Sequence, residues 1–79
     1  MKLEVLTQEK ELFAGEVVSI TARALDGELG ILDNHAALTT VLAKGPFKFR
    51  TGENDEQQIE LEQGILKIKN NLATALVSL

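Results

Sequence analysis

Apolar and polar residues alternate along most of this chain. In Val17-Val18-Ser19-Ile20-Thr21-Ala22-Arg23-Ala24, Val18, Ile20, Ala22 and Ala24 fall on one side, with Ser19, Thr21 and Arg23 on the other. A period of two belongs to a β-strand with one face in a core and one in water. The opening follows the same rule, with Leu3 and Val5 set against Lys2 and Glu4. Ile59 and Leu61 oppose Gln58, Glu60 and Glu62, while Leu66 and Ile68 oppose Lys67 and Lys69. Ala73, Ala75 and Val77 carry the pattern to the last strand. Ala36 to Ala43, AALTTVLA, fits either a strand or two helical turns by spacing alone. Its two threonines and Val41 favour the strand, because β-branched side chains suit a pleated surface.

Turn chemistry separates the runs. Asn70-Asn71 stands where a tight hairpin needs positive φ, and Asp26-Gly27 reads as a turn in which Gly27 supplies it. Gly15 and Gly64 punctuate short runs, Gly30 permits close backbone packing, and Lys44-Gly45-Pro46 breaks the chain before Phe47. Thr51-Gly52-Glu53-Asn54-Asp55 forms a polar loop between the Phe47/Phe49 strand and the Ile59/Leu61 strand. The spacing predicts an all-β fold, a flattened antiparallel β-sandwich or barrel of about ten short strands. With no linker, repeat or low-complexity tract, residues 1–79 make a single domain.

Composition narrows this picture. A chain of 79 residues buries only about 60% of its unfolded surface, which leaves a thin stability margin. It has no cysteine, so disulfides and thiolate metal sites are excluded. Its formal charge is −4 and it has no Tyr or Trp, which disfavours nucleic acid as a partner. Gly aside, no apolar run exceeds three residues, too few for a membrane-spanning helix or a signal-peptide core.

The densest collection of candidate chemistry is Asp26 to Leu38, DGELGILDNHAAL, which holds the sole histidine, two glycines and three carboxylates. His35 has no nucleophile in a strained elbow beside it, so no hydrolytic constellation is indicated. One histidine with Asp26, Glu28 and Asp33 lacks the ligand spacing of a zinc or calcium site, and a hydrogen bond to loop backbone is the plainer role for it. Gly27-Glu28-Leu29-Gly30 has neither the lysine nor the following helix of a phosphate cradle. Catalytic, metal, nucleotide and cofactor sites are therefore not expected. Leu29, Ile31 and Leu32 beside the acidic turn suit either a protein contact or a loop tucking its leucines into the core.

Taken together, MKLEVLTQEKELFAGEV, DGELGIL, His35-Ala36, KGPFKFR and LEQGILKIKNNLATALV resemble, in order and over essentially the whole chain, one known domain. It is the N-terminal β-sandwich of the epsilon subunit of F-type ATP synthases, called delta in mitochondria. That resemblance implies a non-catalytic rotor part at the foot of the central stalk of a proton- or sodium-driven synthase. It would bind the gamma subunit on one side and the polar loops of the c-ring on the other. The subunit would be peripheral on the cytoplasmic face of a bacterial inner membrane, without inserting into lipid. By the same resemblance Glu28 contacts the c-ring, Asp26, Gly27 and Leu29 shape its loop, and His35 and Thr40 face gamma.

The family usually has Pro-Gly-His-Ala-Pro where this chain has Asp33-Asn34-His35-Ala36-Ala37. Asn34 is the next-best residue for a glycine's positive φ, so the turn is expected to survive, with more mobility for want of both prolines. The C-terminal helical hairpin of most family members has no counterpart in these residues, and its inhibitory and nucleotide-binding roles are not expected here. The reading that competes with a rotor subunit is a free-standing β-sandwich adaptor or ligand-binding module.

Overall fold

A computed structural model describes residues 1–79. The alternating runs fold as strands and no helix forms: β1 Lys2–Leu6, β2 Glu11–Glu16, β3 Ser19–Ala24, β4 Gly27–Leu32, β5 Leu38–Leu42, β6 Gly45–Gly52, β7 Asp55–Leu61, β8 Gln63–Lys69 and β9 Leu72–Ser78. The ambiguous AALTTVLA is a strand, β5. Nine strands form where about ten were expected from turn spacing.

The strands lie in the order β2-β1-β9-β8-β5-β3-β6-β7, and β4 pairs with β3 alone. On its other edge β3 is shared, meeting β6 through Ser19–Thr21 and β5 at Ala24. There the sheet folds over on itself and closes around one core. All pairs are antiparallel but one: β1 and β9 run parallel, Lys2 opposite Leu72 through Leu6 opposite Leu76. The expected antiparallel sheet is corrected at that point. Joining the two ends of the chain side by side leaves their direction to the fold's closure, not to any turn.

The core is aliphatic, built from Leu3, Val5, Ile20, Ile31, Leu42, Leu66 and Ile68, with Ala73 and Ala75 where the layers approach. Phe47 and Phe49 fill its centre, their rings 6.1 Å apart, and Phe13 of β2 lies 4.5 Å from Phe49. No buried side-chain polar atom lacks a partner, as a stable interior of this size requires.

Three local expectations change. Val17 is buried and Val18 half exposed, the reverse of simple alternation. The amide of Val18 donates to the Arg50 carbonyl at 2.7 Å just before β3 begins, so the backbone bends there and the period restarts at Ser19. Gly15 and Gly64 lie inside β2 and β8 rather than between runs. A Cβ on Gly64 would stand 3.0 Å from both the Leu76 carbonyl oxygen and Val77 Cγ1, so the neighbouring strand is what excludes a side chain. The Thr51–Asp55 loop shrinks to a tight turn at Glu53-Asn54, with β6 running to Gly52 across a register shift.

Candidate functional site

The β3–β4 hairpin closes through Leu25 and Asp26, with Ala24 opposite Gly27. Gly27 has φ 133°, a conformation that suits glycine, so the assignment of positive φ to this turn holds. Leu25, Asp26, Gly27 and Glu28 are all exposed. Leu29 is half-buried against the core and Ile31 is buried, so these two anchor the hairpin. Glu28 is not at the tip: it is the second residue of β4, opposite Arg23. Neither Asp26 nor Glu28 forms an ion pair. Gly30 is not demanded by packing, since a Cβ there would meet nothing within 4 Å.

The other half of the segment sits at the far end of β4. Six residues at about 3.3 Å each place it roughly 20 Å away. Asn34 has φ 61°, as its replacement of glycine requires, and its amide donates to Asn71 Oδ1 at 2.8 Å. Asn70 and Asn71, at φ 52° and 60°, turn the β8–β9 hairpin, and Asn71 so ties two loops together. Asp33 is occupied by the Met1 ammonium group, which also donates to the Val17 carbonyl at 3.1 Å and lies 3.5 Å from Glu16. The hydrogen bond to Asp33 raises the Met1 amine above its ordinary 8.0; burial opposes this, and the charges of Asp33 and Glu16 reinforce it. His35 is half-buried, its Nδ1 2.8 Å from the Ala36 carbonyl oxygen, the loop-backbone role expected of it. The structure therefore divides DGELGILDNHAAL into an acidic turn and a braced loop, and groups no set of His, Asp and Glu to hold a metal ion.

Thr40 lies mid-strand in β5 opposite Leu66, half-buried on the core side. Its neighbour Val41 faces out, and Val41 begins a feature that the sequence reading missed. Val41 pairs with Ile65, Ile65 with Leu76, and Leu76 with Leu6, so one apolar row crosses β5, β8, β9 and β1. Val41, Ile65 and Leu76 are 46%, 49% and 51% exposed, on a face that alternation makes polar elsewhere. A shallow groove lies along the row, floored by Gly64 and flanked by Gln63 and Ser78. The available signal was the doublets Val41-Leu42, Ile65-Leu66 and Leu76-Val77, where two adjacent apolar residues must face opposite ways.

Relatives carry the same domain. The chain is 41% identical over 76 residues to the ATP synthase epsilon chain of Natranaerobius thermophilus, spanning 95% of this chain and 54% of the relative. To the ATP synthase epsilon chain of a Nitratiruptor species it is 35% identical over 77 residues, spanning 98% of this chain and 60% of the relative. The chain thus spans little more than half the length of these relatives. Among solved structures, a chain from the central stalk and c-ring of the Tetrahymena thermophila mitochondrial ATP synthase superposes with a TM-score of 0.84 at 25% identity. That match covers 98% of this chain and 62% of the other. A chain of the Euglena gracilis mitochondrial ATP synthase shares the fold, with a TM-score of 0.88 at 22% identity over 95% of this chain and 48% of the other. Residues 1–78 match the family described as ATP synthase, Delta/Epsilon chain, beta-sandwich domain, and the chain belongs to that family.

Proposed function

We propose that this domain is a non-catalytic central-stalk part of an F-type ATP synthase, linking a gamma subunit to a c-ring and helping couple ion movement to ATP synthesis. The observation that carries the reading is the apolar row Leu6-Leu76-Ile65-Val41 on an otherwise polar outer face. Rows of this kind mark protein contacts, and this one is four strands wide. In this reading the row is the gamma-facing surface. Thr40 holds Val41 in place from the core side, and His35 lies in the loop that leads into the same strand.

The acidic turn is a second surface that adjoins the row at one end, where the Leu25 amide donates to the Val41 carbonyl at 3.3 Å. Asp26 and Glu28 are exposed and unpaired, and Gly27 and Leu29 set the direction of their strand. Unpaired carboxylates on a rigid hairpin suit basic groups on a ring loop, and such charge pairs govern orientation and encounter rate more than raw affinity. Both surfaces are carried on one packed sandwich, which transmits torque without a flexible joint. On this reading the domain works at the cytoplasmic face of a bacterial membrane as part of the F1 sector.

The test is assembly with gamma and c-ring purified from the same organism. Glu28→Lys is expected to weaken attachment to the ring several-fold while the gamma complex survives and circular dichroism stays unchanged. Failure of the unaltered chain to join either partner, under conditions that keep the synthase intact, overturns the reading. An unfolded Glu28→Lys variant would make Glu28 structural and remove its role at the ring.

A further inference from the structure

Five residues, Asp33 to Ala37, join β4 to β5. No backbone–backbone hydrogen bond outside the strands involves any of them. Exposed backbone groups can turn to water, so the course of such a segment depends on the few bonds it makes to protein. Here they are side-chain bonds: the Met1 ammonium group donates to Asp33, the Asn34 amide donates to Asn71 Oδ1 at 2.8 Å, and His35 Nδ1 lies 2.8 Å from the Ala36 carbonyl oxygen. The last stays within the loop, and the first grips only the Asp33 side chain. The bond from Asn34 alone ties the loop's backbone to another element. Asn34 has φ 61°, a conformation that asparagine tolerates but does not enforce. What holds its amide, one peptide before His35, therefore decides whether the turn is kept.

The β8–β9 turn does not need the side chain that does this. Asn70 and Asn71, at φ 52° and 60°, connect the paired Lys69 and Leu72. Glycine suits the second position of such a turn at least as well as asparagine. The Asn71 carbonyl meanwhile accepts the Lys2 amide at 3.1 Å, and the residue is half-buried. Asn71 thus stands where β1, the β8–β9 turn and the loop meet. Its backbone serves the sheet, and its side chain serves the loop.

We propose that Asn71 is the positioning residue of the His35 loop: its Oδ1 holds the Asn34 turn and so sets how His35 meets the gamma subunit. This rests on the reading that His35 and the apolar row face gamma. The strands that Asn71 joins carry Ile65 and Leu76, the centre of that row. The bond fixes the loop to the same two strands, so gamma meets one preformed surface and orders less on binding.

Asn71→Gly tests it, because glycine keeps the turn and removes the acceptor. Asn71→Asp keeps the acceptor and tolerates the positive φ, and is the conservative control. With gamma purified from the same organism, Asn71→Gly should weaken binding about threefold or more and speed hydrogen exchange at the Asn34 amide about fivefold, as loss of one such bond implies. Asn71→Asp should stay within about twofold of the unaltered chain in both measurements. A residue acting through His35 also has a signature that a merely structural one lacks: added to His35→Ala, Asn71→Gly should cost no further affinity. Additive losses overturn the proposal. So does faster exchange at Asn34 with unchanged binding, since the loop would then be freed at no cost to the contact. Unchanged exchange and binding in Asn71→Gly overturn it too and leave the gamma reading standing. Full binding by His35→Ala removes His35 from the contact and the proposal with it, while the row is still judged by Ile65→Ser. If the unaltered chain binds no gamma, the reading itself falls.

Discussion

Two faces of the same four strands, β1, β9, β8 and β5, divide the work of this domain. Inward stand Leu3, Val5, Ala73, Ala75, Leu66, Ile68 and Leu42, all nearly inaccessible. Outward, one residue along the chain from several of these, stand Leu6, Leu76, Ile65 and Val41. The residue types are alike and their surroundings differ. Apolar area already removed from water stabilises the fold, whereas apolar area left in water stabilises only what covers it. An aliphatic residue's chemistry therefore does not say whether it folds this protein or binds another. Only its face does.

The sharpest way to break this comparison is to alter adjacent residues. Leu66→Ala should destabilise the domain by about 2–5 kcal/mol, because it opens a cavity in a fully buried position. Ile65→Ser, its outward neighbour, should shift stability by no more than about 0.5 kcal/mol while lowering gamma binding at least tenfold. Urea unfolding and a gamma pulldown on both variants check this. Equal loss of stability in the two would erase the distinction between the faces.

Gly64 lies next to Ile65 of the row and packs tightly against β9. Gly64→Ala should destabilise by about 1–3 kcal/mol, since its Cβ would press on the Leu76 carbonyl and Val77. Thermal unfolding measures it. An unchanged midpoint would mean that β9 moves aside freely and that the row is less rigid than its pairing implies.

The smallest effect is expected at the rim, where the buried Met1 side chain carries its ammonium group to Asp33 and Glu16. Because the folded state raises the amine's pKa, its stabilisation is fully present below the ordinary value of 8.0 and is lost as pH rises through the folded value. Both carboxylates face water, so the effect should stay under about 1 kcal/mol. Unfolding free energy followed across this alkaline range should fall for the free amine and show less slope for an N-acetylated chain. Equal slopes would assign the pH dependence to other groups.

Much of the fold was legible along the chain. Leu3/Val5, Ile59/Leu61, Leu66/Ile68 and Ala73/Ala75/Val77 declare their faces by local spacing, and Gly27, Asn34, Asn70 and Asn71 declare their turns by a steric preference each carries alone. The parallel pairing of β1 with β9 had no such signal, because no turn joins strands so far apart in sequence. Of the candidate site, the exposure of Asp26 and Glu28 was legible, but the place of Glu28 within β4 was not, since Asp-Gly marks a turn without marking which residue ends it. Thr40 is assigned to the gamma-facing side by resemblance alone, and its half-buried place on the core side of β5 was not legible in the ambiguous spacing of AALTTVLA.

What the sequence determined by itself is local: period-two strands, aliphatic core faces, the turns, and a family membership carried by ordered segments across residues 1–78. Tertiary structure alone decided that Val41, Ile65, Leu76 and Leu6 form one row and that the β4 edge stays open. Both depend on register between strands distant in the chain. Register is set by how all the inward faces pack at once, and no single segment holds that information.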